Sequence, residues 1–187
     1  MKHILTCSLL LWLGAAHAQD EMQRQRFFWG VAAGPAYIRL QQPDEAVAAQ
    51  GSLSFPNIKA GYMFTPRLAA TVVLPGTVYR FTGAGRARDR GFEGIVPGIQ
   101  YWPASRWWVQ AGAGFGMDAP AFYDIRDATE RRFYPGGAAL AGVGYEIWQH
   151  RTWALDLQAR VMGGSIRTPD QPTRGVALSL KVGITWY

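Results

Sequence analysis

The stretch Arg106-Trp107-Trp108-Val109-Gln110-Ala111-Gly112-Ala113-Gly114-Phe115-Gly116-Met117 decides the fold class. One parity reads Trp107, Val109, Ala111, Ala113, Phe115, Met117. The other reads Trp108, Gln110, Gly112, Gly114, Gly116. Successive side chains of a strand point to opposite faces, so the period of two marks a strand with one apolar face and one small or polar face. Such a strand separates two different solvents.

The same alternation recurs along the chain. Val176, Leu178, Leu180, Val182, Ile184 and Trp186 alternate with Ala177, Ser179, Lys181, Gly183 and Thr185. Trp153–Gly163, Ala141–Ile147, Ile95–Tyr101 and Ile58–Phe64 repeat it, and Trp29–Tyr37 does so less clearly. Leu68–Phe81 is apolar on both parities, so its faces stay unassigned. The total is about eight strands, within the range of membrane barrels. The connections alternate in length. Thr65-Pro66-Arg67, Pro103-Ala104-Ser105 and Gln149-His150-Arg151 are short; those near Gln41–Ser52, Gly83–Gly91, Asp118–Arg132 and Gly164–Arg174 are longer. Short periplasmic turns and long outer loops are what an up-and-down transmembrane barrel needs, and an even strand number puts both termini in the periplasm. The expected fold is all-β, an antiparallel up-and-down barrel in the outer membrane.

The ends and the composition agree. Lys2 and His3 precede an apolar run from Ile4 to Ala16, and Ala16-His17-Ala18 is a small-x-small cleavage site. Residues 1–18 are therefore expected to be a cleaved signal peptide, and 19–187 the barrel domain. The apolar run is too short for a membrane helix, and no later stretch approaches the roughly 20 apolar residues one needs. Cys7, the sole cysteine, lies within that signal, which leaves the barrel without disulfide or thiolate chemistry. The chain has 22 Gly, 8 Trp, 8 Tyr and 9 Phe, yet its mean hydropathy is only -0.07. A barrel with half of each strand in lipid and half facing a polar lumen hides its apolar face in just such an average. The net charge of +6 reads as an arginine-rich surface; export excludes nucleic acid as the partner. Leaving aside Trp12, the tryptophans Trp29, Trp102, Trp107, Trp108, Trp148, Trp153 and Trp186 all fall at periplasmic strand ends, where indoles favour the membrane–water interface. Tyr37, Tyr79, Phe81, Phe92, Phe133 and Tyr134 are expected to form the outer girdle.

The strand–turn–strand segment Lys59–Ala69 and the closing strand up to Trp186-Tyr187 resemble the small eight-stranded outer-membrane barrels that include the OmpA membrane domain, OmpX and related surface antigens. The resemblance is one of pattern and covers most of the chain after the signal. It implies insertion by the barrel-assembly machinery, which reads an aromatic C-terminal signal. This chain departs from the usual terminal Phe: Trp186 holds the outward parity and Tyr187 lies one beyond.

No catalytic, cofactor or metal site is expected. Some small barrels are lipid A deacylases, with a His-x-Ser pair and a downstream acid. Here the histidine beyond the signal is His150, followed by Arg151-Thr152, with no nucleophile in reach in sequence. One histidine and no cysteine also make a poor metal site. Asp118, Asp124, Asp127 and Glu130 lack the EF-hand spacing for Ca²⁺. Gly112–Gly116 precedes no helix, so it relieves crowding in a narrow lumen rather than binding nucleotide. Arg86, Arg88, Arg90, Arg131 and Arg132, with Arg167 and Arg174, are placed in outer loops, where guanidinium groups suit lipopolysaccharide phosphates. Lys59, Glu146, Asp156, Arg160 and Lys181 are placed inside as a salt-bridged plug, with Asp156 pairing to Arg160 or Lys181.

The resulting functional expectation is a non-enzymatic surface barrel, a monomer, acting through its outer loops among outer-membrane lipid and lipopolysaccharide. The alternatives are a lipid-modifying enzyme, a narrow pore, and a soluble lipocalin-like carrier. The last would need its apolar parity inside, around a cavity.

Overall fold

Backbone pairing organises the chain into β1 (Phe27–Gln41), β2 (Ala48–Thr65), β3 (Leu68–Leu74), β4 (Gly76–Phe81), β5 (Arg88–Tyr101), β6 (Trp107–Pro120), β7 (Tyr134–His150), β8 (Trp153–Arg167) and β9 (Pro172–Trp186). This computed structural model describes residues 24, 26–41, 48–81, 87–126, 131–167 and 172–187; the expected signal peptide and Arg86 lie outside the described residues. Neighbouring strands pair antiparallel, and β1 pairs with both β2 and β9, which closes the sheet. β3 and β4 are two halves of one wall strand, so the ring has eight staves.

The break has a chemical cause. Pro56 in β2 and Pro75 between β3 and β4 each lack an amide hydrogen, so the ladder cannot run through them. Direct pairing ends at Ile58–Leu74 and is resumed only at Leu53–Val78. Side chains bridge the gap: Ser54 Oγ and Asn57 Nδ2 both donate to the Gly76 carbonyl, at 2.8 and 3.3 Å.

Around the ring, the apolar parity faces out. Leu178, Leu180 and Val182 of β9 are 53, 66 and 52 % exposed, while Ala177, Ser179 and Lys181 between them are buried. β6, β7 and β8 follow the same rule. An exposed apolar belt around a closed barrel is a lipid-facing surface, not the inward apolar lining of a soluble carrier. The seam is reinforced on the outside by Trp29 of β1, which stacks on Trp186 of β9 with ring centres 4.4 Å apart.

Leu68–Phe81 resolves as well. Ala69, Thr71, Val73, Thr77 and Tyr79 turn inward; Leu68, Val72 and Leu74 turn outward. Its two apolar parities have separate reasons: one meets lipid, the other fills the upper lumen.

The strands outrun the expected loops. β1, β2 and β5 to β9 have 14 to 18 residues, against the roughly 9–11 that cross a bilayer. The turns at 66–67, 102–106 and 151–152 stay short, so the surplus projects at the opposite, outer end. Arg88 and Arg90 consequently belong to β5 and Arg174 to β9 rather than to loops.

The two faces make different demands on a substitution. Val143 on β7 is outward and half-exposed, and Gln110 on β6 is buried with its amide donating to Thr71 Oγ1 at 2.9 Å. Val143→Arg should cost about 2–4 kcal/mol near the bilayer midplane, whereas Gln110→Glu should be mild. Unfolding in lipid vesicles checks this, and equal costs would reverse the assignment of faces.

Candidate functional site

An eight-stranded barrel has an interior about wide enough for side chains to fill, and here it is filled in three strata. The upper stratum is apolar. Ile38, Val73, Tyr79, Phe92, Val96, Leu140, Met162 and Ile166 pack into one cluster, with Leu40, Phe81 and Tyr134 against it. This corrects the expected outer girdle. Tyr79 and Phe92 are buried inside, and Phe81 and Tyr134 lean on the same cluster; Tyr37 and Phe133 are exposed as expected. Position along a strand does not fix the face. Phe92 shares the parity of Gly94 and Val96, which points inward.

Above this cluster Arg90 is an internal strut. Its Nε donates to Asp118 Oδ1 at 2.7 Å and a terminal nitrogen donates to the Arg132 carbonyl at 3.0 Å; the Tyr79 hydroxyl donates to Asp118 Oδ2 at 2.7 Å. Arg90 is thus withdrawn from any contact with lipid. Arg88 is half-buried, with its guanidinium 5.0 Å from the Phe81 ring centre. Arg80 pairs with Asp89 at 2.9 Å and Asp124 at 3.6 Å.

The middle stratum holds Lys59, Asp156, Arg160 and Lys181, all buried. Their inward placement agrees with the sequence reading, but the pairing differs. Asp156 lies 3.8 Å from Lys59, not on Arg160 or Lys181. Lys181 Nζ instead donates to Asn57 Oδ1 at 2.6 Å. Strand register explains it: Gln158, not Asp156, stands beside Lys181 on β9, and Ser179 stands beside Arg160. Asp156 faces Gly183, which leaves its carboxylate free to reach across to Lys59.

The lower stratum is aromatic and contains the fifth charge. Phe28, Met63, Trp102, Trp108 and Tyr187 form one cluster. Glu146, fully buried, sits among them rather than with the middle charges. Its Oε1 accepts from Trp102 Nε1 at 3.0 Å and the Tyr187 hydroxyl at 2.9 Å; its Oε2 accepts from Gln149 at 2.6 Å and Arg24 at 3.1 Å. Arg24 also lies over the Trp102 ring at 4.8 Å. Trp102 and Trp108 therefore belong to the floor of the lumen, while Trp29, Trp107 and Trp148 are exposed as an interfacial belt requires. Gly144 makes the floor possible, since a Cβ there would come within 2.3 Å of the Trp108 ring.

Two parts of this arrangement escaped the sequence reading. Trp108 shares the parity of Gln110, so alternation alone could have turned it inward. Trp102, Arg24 and Tyr187 lie just beyond strand ends, where alternation carries no information.

The outer surface carries the remaining cations. Arg131 and Arg132 are exposed. Arg39, Arg167 and Arg174, on the adjoining strands β1, β8 and β9, are exposed near their outer ends. Among the described residues none of these five forms an ion pair. Arg39 was legible as the outward parity of Tyr37. His150 is exposed at the short turn between β7 and β8, its ring 5.9 Å from that of Trp153. No described group of His, Cys, Asp and Glu could hold a metal ion.

No protein-family model and no curated protein sequence matches the chain. Solved structures do. Ail, the attachment invasion locus protein of Yersinia pestis, matches with a TM-score of 0.57 and 14 % identity over 87 % of this chain and 99 % of Ail. A second structure of Ail, in complex with the heparin analogue sucrose octasulfate, matches with a TM-score of 0.54 and 15 % identity over 86 % and 99 %. Neisserial surface protein A matches with a TM-score of 0.56 and 17 % identity over 86 % and 96 %. These are small eight-stranded outer-membrane barrels, as the resemblance of the sequence implied. At such identity the likeness shows the fold, and the outer membrane is the bilayer that this fold and its apolar belt belong to.

The corrected pairing can be read by a double-mutant cycle. Asp156→Ala strands Lys59, a loss that reaches about 3–5 kcal/mol for a fully buried pair and less where water enters the lumen. Adding Lys59→Met should restore more stability than adding Arg160→Met. Equal recovery in detergent unfolding would mean that Asp156 has no preferred partner.

Proposed function

We propose that the protein is a non-enzymatic surface barrel that works at its outer rim, seated among lipopolysaccharide phosphates. The observation that supports this best is the set Arg39, Arg167 and Arg174. Three adjoining strands present them outward, near the outer ends, without ion-pair partners among the described residues. Guanidinium groups at that height meet the phosphorylated head groups of the outer leaflet and can bind them with paired hydrogen bonds. Arg131 and Arg132 extend the positive rim, and the sequence adds Arg86. Arg88 and Arg90 drop out of the reading, since their side chains serve the barrel. The polyanion in the second Ail structure is of matching chemistry.

The filled lumen favours the rim over a pore. The three strata leave function to the two ends and the outer surface, and His150 at the periplasmic end has no nucleophile beside it in sequence. On this reading the signal peptide spanning residues 1–18 is removed on export, the barrel-assembly machinery inserts the chain, and the barrel acts as a monomer.

Three measurements test it. Arg39, Arg167 and Arg174 replaced together by Gln should weaken binding to purified lipopolysaccharide by about tenfold or more, with dephosphorylated lipopolysaccharide little affected; unchanged binding overturns the rim reading. Cysteine at Ala87 should react with an impermeant maleimide on intact cells, and cysteine at Ser105 only after the outer membrane is opened. The unmutated protein should show no steady current across a planar bilayer; a steady current would promote the pore.

A further inference from the structure

The middle stratum is out of electrical balance. Lys59, Arg160 and Lys181 are 3, 5 and 5 % exposed, and Asp156 is the carboxylate buried with them. Glu146 is bound by Arg24 at 3.1 Å and by three neutral donors, so its charge is already answered. One carboxylate thus faces three cationic side chains. Arg160 cannot shed its proton in a protein. An uncompensated ion in a narrow, low-dielectric interior is expensive, and a neutral water molecule satisfies donors without cancelling charge.

Charge, not the count of hydrogen-bonding atoms, sets the imbalance: the buried donors Lys59 Nζ, Arg160 Nε, Trp108 Nε1 and Gln100 Nε2 have no acceptor among the described residues, and the buried acceptors Asp156 Oδ2, Gln100 Oε1, Gln110 Oε1 and Gln158 Oε1 have no donor. The basic groups share one neighbourhood. Lys59 Nζ and the Arg160 guanidinium lie 4.9 and 5.7 Å from the same Trp108 ring centre. Lys181 stands beside Gln158 on the next strand, and the adjacent Ser179 stands beside Arg160. Beside Arg160 and Gln158, Gly142 and Gly144 of β7 carry no side chain, and the Arg160 and Trp108 side chains lie over them.

We propose that this stratum is a binding site for a small inorganic anion, of the size and charge of chloride, held by Lys59, Arg160 and Lys181. The ligand must be small because the apolar cluster lies above it and the aromatic floor below. It must be an anion because three basic side chains face a single carboxylate. The site is internal and independent of the outer rim, so it does not rest on the lipopolysaccharide reading. The anion is enclosed as the barrel closes, and it completes the plug.

Bromide, a heavier anion of nearly the same radius, is the probe. The protein is refolded in detergent in bromide and crystallised, and anomalous scattering locates the ion. A bromide peak between Arg160 and Lys181 is expected, and it should be lost in Lys181→Met. Unfolding of the unmutated protein gives a second measurement that needs no variant. Its midpoint should be higher in chloride or bromide than in gluconate at equal ionic strength, since gluconate is too large to enter. Crystals with bromide at the surface and none in the lumen would overturn the proposal. So would a midpoint indifferent to halide, or a lumen peak that persists unchanged in Lys181→Met.

Discussion

A strand in lipid has no water to satisfy its amide and carbonyl groups, so every edge must be paired. The double pairing of β1 with β2 and β9 meets that requirement, and the rest of the structure follows from it. A closed ring gives each strand two environments that differ all along its length. The period-two pattern is the chemical record of those environments. Where the chain cannot pair, at Pro56 and Pro75, Ser54 and Asn57 donate to the buried carbonyl of Gly76. The exception shows the strength of the rule: two inward side chains are committed to restoring the hydrogen bonding that two prolines remove.

Closure with eight staves also fixes the interior. The lumen is too narrow to stay open and too long to be filled by one kind of residue. The outer part, whose strands stand beyond the bilayer, is filled like the core of a soluble protein. The middle is polar, and the floor is aromatic around one carboxylate. Large inward rings need room, which the neighbouring strand gives up as glycine at the paired position: a Cβ at Gly61 would fall 2.4 Å from the Phe28 ring, as one at Gly144 would strike Trp108. Glycine richness and aromatic richness are thus two sides of one packing solution, not separate features of composition.

What could be read from the sequence divides along the same line. Alternation is a local property of a strand, so the outward set on β6 to β9 and the inward set Lys59, Asp156, Arg160 and Lys181 were legible residue by residue. Contacts across the lumen are not local. Asp156 was expected on a residue of its own or the adjoining strand, yet it pairs with Lys59 on β2, because the strand tilt of a closed barrel brings distant strands face to face at one height. Trp102 and Tyr187 lie past the last residue that alternation can place, and they fold back into the floor to reach Glu146. The aromatic girdles failed in part because depth along a strand was used without parity: Phe92 and Tyr79 have the right depth and the wrong face.

The inner and outer cations differ in what surrounds them, and that difference separates structure from function. Arg90 has the tyrosine-bound carboxylate of Asp118 and the backbone carbonyls of Asp118 and Arg132; Arg24 has Glu146 and two rings. Each of these guanidinium groups has a carboxylate within 3.1 Å, and they hold the barrel together. Arg39, Arg167 and Arg174 spend their charge on no described ion pair, at a height where phosphate is the abundant counterion. The middle lumen repeats that inequality in a closed space, with three basic side chains to one carboxylate. In both places positive charge exceeds the carboxylates described beside it. On the proposed readings the outer set would meet a leaflet that supplies phosphate continuously, whereas the inner set could keep only an anion present when the ring closed, so one chemistry would act at the rim and within the wall.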